Sequence, residues 1–196
     1  MNILVNNRGN EMKDDNRQIN ALFQEWRSNM EGYRLPEWKD FPGLELYMDQ
    51  VTILVNQYLT MFEADKQADN VVTPAMINNY VKMKIVPAPV KKRYTRVHLA
   101  YLVMVCTLKQ TMSMDMIRKL LPVEMEEEQV RLTYQTFVEN QKKTFGLLIE
   151  LIDAKKIMPV EGDEGVRDMV IQTAVFSNLS RSLTRAFLTL MENEEQ

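Results

Sequence analysis

Apolar positions along the chain recur mostly at three- and four-residue steps, the period of a helix with one buried face. Between Asn16 and Met30, Ile19, Leu22, Phe23 and Trp26 keep this step and predict a short amphipathic helix. A loop with Pro36, Pro42 and Gly43 follows, in which Trp38 and Phe41 are expected to cover an edge of the body. From Leu44 onward, Leu44, Tyr47, Val51, Leu54, Tyr58 and Phe62 mark one face of a second helix. Thr73 and Pro74 then read as an N-cap and a proline-tolerant first helical position.

On the helix after Thr73, Ile77, Tyr80, Val81 and Ile85 are expected to point inward. Ala75, Asn78, Asn79 and Lys82 fall on the other side at i, i+3, i+4 and i+7. VPAPV stops the helix, because Pro87 and Pro89 favour extended backbone for themselves and for the residues before them. Thr95 can cap the next helix, HLAYLVMVCTLKQ, which is apolar nearly all round and should be the buried central one. Ser113 can cap a short helix that Pro122 ends.

Two long helices should follow. Val130, Tyr134, Phe137, Gln141, Phe145, Leu148 and Ile152 form a nearly heptad seam between Glu124 and about Ile157. MPVEGDEG is a turn. The last helix carries Val166, Met169, Val170, Thr173, Phe176, Leu179, Leu183, Phe187 and Leu190 on one face, so an antiparallel hairpin is the simplest arrangement. The expected fold is all-α: an N-terminal helical extension over 1–34, a compact domain over 35–122, and a helical hairpin over 123–196 that could pack with it as one body.

Composition narrows the function classes. Hydrophobic residues make up 45% and charged residues 26% of 196 positions, ordinary for a globular chain, and six Gly with seven Pro argue against a turn-rich β fold. The longest nearly apolar run, Val97 to Cys106, is far short of the roughly 20 residues of a membrane span. The start lacks a basic stretch leading into a long apolar one, so a cytoplasmic location is expected. One Cys and one His leave no internal disulfide and no multi-Cys metal site; Cys106 reads as a core hydrophobe and His98 as a hydrogen-bonded packing residue or a phosphate neighbour. There is no phosphate-binding glycine loop, no nucleophile elbow and no HExxH helix. The acidic run Glu124, Glu126, Glu127 and Glu128 is explained by its place at a helix start. Neither an enzyme nor a cofactor is expected.

Charge changes the picture more. Residues 70–114 hold seven Lys or Arg and no Asp or Glu, whereas the remainder holds 17 basic and all 27 acidic residues. Clustered cations of one sign suit a polyanion, because they neutralise phosphates and release counterions. Asn78, Asn79 and Lys82 offer a small, amide-rich and cationic helix face, and Asn can bond both N6 and N7 of adenine. Lys91, Lys92, Arg93 and Arg96 surround Tyr94 beside that helix, where Tyr94 would brace a basic loop, and Lys84 adds a further cation before it. The plainer reading of both features is a solvated surface.

The block MINNYVKMKIVPAPVKKRYTRVHLAYLVMVCTLKQTMSMDMIRKLL resembles the DNA-binding domain of MerR-type regulators. The matching pieces are Asn79-Tyr80, Arg93-Tyr94, Leu102, Leu108, Ser113 and Ile117, while the Gly-Leu pair that usually follows the recognition helix is Lys84-Ile85 here. Over a longer span, LPEWKDFPGLELYMDQV, PAMINNYVK and KKRYTRVHLAYL are similar to a bacterial domain-of-unknown-function family, DUF1836. The MerR-type resemblance implies a winged helix-turn-helix and a homodimer on double-stranded DNA. The expected function is therefore DNA-binding transcriptional regulation through Asn78, Asn79, Lys82, Lys84, Lys91, Lys92, Arg93, Tyr94 and Arg96, with residues 124–191 as a dimerisation or effector module. The competing reading is a protein-binding adaptor whose basic patch meets an acidic partner.

Overall fold

The computed structural model describes residues 21, 24–60, 71–154 and 165–194. These residues form α-helices and one 3-10 turn, Trp38–Asp40, with no β-strand among them, so the fold class is all-α. The helices are α1 (residues 24–32), α2 (Met48–Tyr58), α3 (Pro74–Lys82), α4 (Arg96–Leu108), α5 (Met114–Leu120), α6 (Glu127–Asp153) and α7 (Gly165–Glu194). The expectations for Ile19, Leu22, Phe23, Phe62 and the turn MPVEGDEG lie outside the described residues, as does the side chain of Val166.

Two compact units are present. One gathers the described residues up to Tyr33 with Phe145–Leu183, and the other gathers Arg34–Thr144 with Thr184–Gln196. In the first, Arg27 on α1 pairs with both carboxylate oxygens of Asp153 at 2.5 and 3.0 Å and with Glu31 at 2.8 Å. Trp26, expected to point inward, is 38% exposed.

The larger unit is built around α4. Every residue from His98 to Cys106 is buried, as an all-round apolar helix must be when neighbours close on each side. Each large aliphatic side chain removed from water there contributes roughly 1.5–3 kcal/mol. Cys106 is one of these core groups, and burial pushes its thiol up to about 11. Ile77 and Tyr80 of α3, Ile117 of α5, and Val130 and Tyr134 of α6 complete the core. Trp38 and Phe41 join it and do more than cover an edge. Their rings lie 6.5 and 5.0 Å from that of Tyr134, whose hydroxyl donates to the Pro36 carbonyl at 2.8 Å. On the α6 seam, Val130 and Tyr134 are buried, and Phe137, Gln141, Phe145, Leu148 and Ile152 are half-buried.

Two expectations fail for physical reasons. Helix α2 starts at Met48, not Leu44, and its inward line is Val51, Val55 and, just past its end, Leu59, while Leu44 and Tyr47 face solvent. Leu46 exchanges backbone hydrogen bonds with Tyr94 at 2.8 and 2.9 Å, which holds the preceding chain extended. The expected packing face of α7 is also open: Val170, Phe176, Leu179, Leu183, Phe187 and Leu190 are 47–65% exposed. Of the described residues on that face only Met169 is half-buried, and off it the helix buries Leu188 and half-buries Thr184.

Candidate nucleic-acid interface

Caps set both ends of α3. The Thr73 hydroxyl accepts from the Met76 amide at 3.3 Å, and Pro74 occupies the first turn, where its missing N–H has no partner to lose. Asn56 on α2 fixes the approach to this cap. Its side chain donates to the Val72 carbonyl and accepts from the Val72 amide, both at 2.9 Å. At the far end, Lys84 N–H donates to Val81 O and Ile85 N–H to Tyr80 O. This is a Schellman closure, which requires left-handed backbone at the residue after the C-cap. That residue is Lys84, with φ 54°. Arg118 of α5 adds bonds from Nε and Nη2 to the Met83 carbonyl at 3.3 and 3.2 Å.

The chain then reverses at Lys91-Lys92. Val90 and Arg93 pair as an antiparallel bridge, the Arg93 amide donates to Val90 O at 2.9 Å, and the two lysines have φ of 50° and 62°. Two positive φ angles in a two-residue connection make a turn of the I′ kind, usually Asn-Gly. Lys84, Lys91 and Lys92 are the only non-glycine residues with positive φ among those described. A left-handed conformation costs a side-chain-bearing residue roughly 1–2 kcal/mol. In each case that cost falls on an exposed cation.

The base of the turn is anchored inward. Tyr94 is buried, its backbone paired to Leu46 and its ring edge-on to His98 at 5.3 Å. The Arg93 guanidinium stacks over the Tyr47 ring at 3.7 Å. Arg96 Nε donates to the carbonyls of Phe41 and Pro42 at 3.1 and 3.3 Å. Gly43 makes room for that guanidinium, since a Cβ there would lie 3.2 Å from Arg96 Nη2. His98 closes a capping box on Thr95, with Nδ1 accepting from the Thr95 amide at 3.0 Å. Its Nε2 is buried without a hydrogen-bond partner. Burial holds the imidazole pKa below its ordinary value, and the nearby Ala88 carbonyl only partly offsets this.

The nine residues singled out by sequence therefore divide. Asn78, Asn79, Lys82, Lys84, Lys91 and Lys92 are exposed; Arg93 and Arg96 are half-buried and Tyr94 is buried. None of the four exposed lysines forms an ion pair among the described residues. Asn78 on α3 and Lys92 at the turn line one open concavity of about 720 Å³ with Tyr47, Met48, Asp49, Gln50, Pro89 and Tyr94. Sequence reasoning missed Tyr47, Asn56, Arg118 and the capping role of His98, since each acts through a partner distant in sequence or through side-chain geometry.

The family described as "Domain of unknown function (DUF1836)" matches residues 36–140, just over half of the chain. The chain belongs to that family. The DUF1836 domain thus runs from the loop that holds Trp38 into the middle of α6, and it contains the whole concavity. No curated protein and no solved structure matches the chain. Among the described residues, no cluster of His, Cys, Asp or Glu could hold a metal ion, and no helix is long and apolar enough to cross a membrane.

Proposed function

We propose that the DUF1836 domain binds duplex DNA as a winged helix-turn-helix and that the chain is a transcriptional regulator. In this reading α3 is the recognition helix and residues 86–94 are the wing. The observation that carries it is the concavity shared by Asn78 and Lys92, which brings an amide-bearing helix face and a cationic turn to one surface. Asn78 and Asn79 present the bidentate donor and acceptor that suits adenine in the major groove. Lys82, Lys84, Lys91 and Lys92 supply point charges for phosphates, which position a protein without reading sequence. Arg93, Tyr94 and Arg96 hold the wing to the body. Asp49 in the same concavity opposes a phosphate.

A gel-shift titration across salt concentrations with the Lys91→Ala/Lys92→Ala/Arg93→Ala variant tests the reading. The slope of log K against log salt should fall by about 1 for each phosphate that the variant no longer neutralises, with affinity falling for every sequence. Asp49→Asn should tighten binding. Affinity and slope that stay at the wild-type values would remove the wing assignment, and retention of acidic proteins with no DNA retained at moderate salt would favour the adaptor.

A further inference from the structure

The fold sets one carboxylate into a surface whose own stretch of sequence has none. Residues 70–114 carry no Asp or Glu, yet the concavity shared by Asn78 and Lys92 is also lined by Asp49, from the first turn of α2. Asp49 is exposed and forms no ion pair among the described residues. A negative charge there repels phosphates and so lowers affinity for any polyanion. The dipole of α2 favours an acidic residue in its first turn, but one placed outside the concavity would satisfy it equally.

The next residue supplies a complementary group. Gln50 also lines the concavity, and its side-chain oxygen accepts from the Tyr47 amide at 2.9 Å in the capping box that starts α2. Because that partner is a donor, the oxygen faces it, and the Nε2 hydrogens are left for a ligand. Asp49 can only accept, and Gln50 has only donors to give. The major-groove edge of a C·G pair is the counterpart: cytosine N4 donates, while guanine O6 and N7 accept side by side. In A·T and T·A the acceptors stand on either side of the adenine amine, so one Nε2 reaches a single acceptor. We infer that Asp49 and Gln50 read a C·G base pair, Asp49 accepting from cytosine N4 and Gln50 donating to guanine. The inference rests on the DNA-binding reading and names part of the sequence that reading leaves open. A concavity of about 720 Å³ is about 9 Å across and base pairs stack about every 3.4 Å, so the C·G pair lies within about two steps of the adenine that Asn78 takes.

Selection of duplexes from a randomised pool by the full chain tests it. The wild type should enrich a C·G position within about two steps of an A·T position. Asn78→Ala should lose the A·T preference alone, and Asp49→Asn the C·G preference alone. Asn has the shape of Asp and position 49 is exposed, so the fold is kept. In gel shifts, replacing that C·G with T·A puts the thymine O4 acceptor where N4 donated. The exchange should cost the wild type about 10-fold in affinity and Asp49→Asn less than about 2-fold. Asp49→Asn should also bind duplexes without the C·G pair more tightly, since the repulsion is gone. Gln50→Glu keeps an oxygen for the Tyr47 amide but removes the donors, so it should lose the same preference with the start of α2 intact. An Asp49→Asn profile identical to that of the wild type would overturn the assignment and leave the DNA reading standing, the carboxylate then serving α2 alone. A chain that retains no duplex would end both.

Discussion

Helices α4 and α7 are both rich in large apolar residues, yet they end in opposite environments. From His98 to Cys106, α4 is closed in on every side, whereas α7 leaves a line of Phe and Leu in water. The difference lies in what each pattern specifies. An all-round apolar surface can only be satisfied inside a folded body, whereas a narrow stripe on an otherwise polar helix specifies one contact and leaves its source open. Hydrophobic pattern therefore records what a face is made to touch, and the touching group can belong to another molecule.

The sharpest break of this comparison is a pair of truncations. Leu102→Ala should lower unfolding free energy by about 2–5 kcal/mol, because it opens a cavity in the core. Leu183→Ala, measured by urea denaturation at protein concentrations dilute enough for a monomer, should change it by less than about 0.5 kcal/mol. Equal losses would mean that α7 packs inside its own chain.

The turn offers a second test, in which stability and binding should move in opposite directions. Lys91→Asn/Lys92→Gly replaces two left-handed lysines with the pair that the turn prefers, and should raise unfolding free energy by about 1 kcal/mol. The same variant should bind duplex DNA more weakly. A gain in both would show that the strained cations are not kept for a ligand.

The smallest effect is that of pH on the DUF1836 domain. The folded His98 pKa lies below its unfolded value, so its contribution is present above about pH 6.5 and is lost as pH falls from there toward the folded pKa. Protonation would put a hydrogen on the Nδ1 that now accepts from Thr95. The slope contributed is at most about 1.4 kcal/mol per pH unit, and His98→Gln should flatten it in urea titrations at pH 7.5 and 5.5.

The parts of the fold legible in sequence were those determined locally. Thr73, Thr95 and Ser113 are all N-caps, the helix after Thr95 is the buried one, and the outward face of α3 carries Ala75, Asn78, Asn79 and Lys82. Distant pairing hid the rest. The start of α2 moved because Leu46 bonds to Tyr94, which no local period encodes. The I′ turn at Lys91-Lys92 was invisible because it lacks the Gly or Asn that usually marks one. The left-handed Lys84 was hidden in the same way, since a Schellman closure usually carries Gly at that position. Arg96 looked like surface charge because its carbonyl partners lie about fifty residues away.

The inward turn of the arginines has one more consequence. Arg93, Arg96 and Arg118 are committed to a ring or to carbonyls, so the outward charge of this region is carried by Lys82, Lys84, Lys91 and Lys92. A guanidinium keeps its charge at any physiological pH, but a primary amine can be acylated and thereby neutralised. Acylation of these four lysines would therefore erase the outward positive charge around α3 and the turn while the bonds made by the three arginines stay in place.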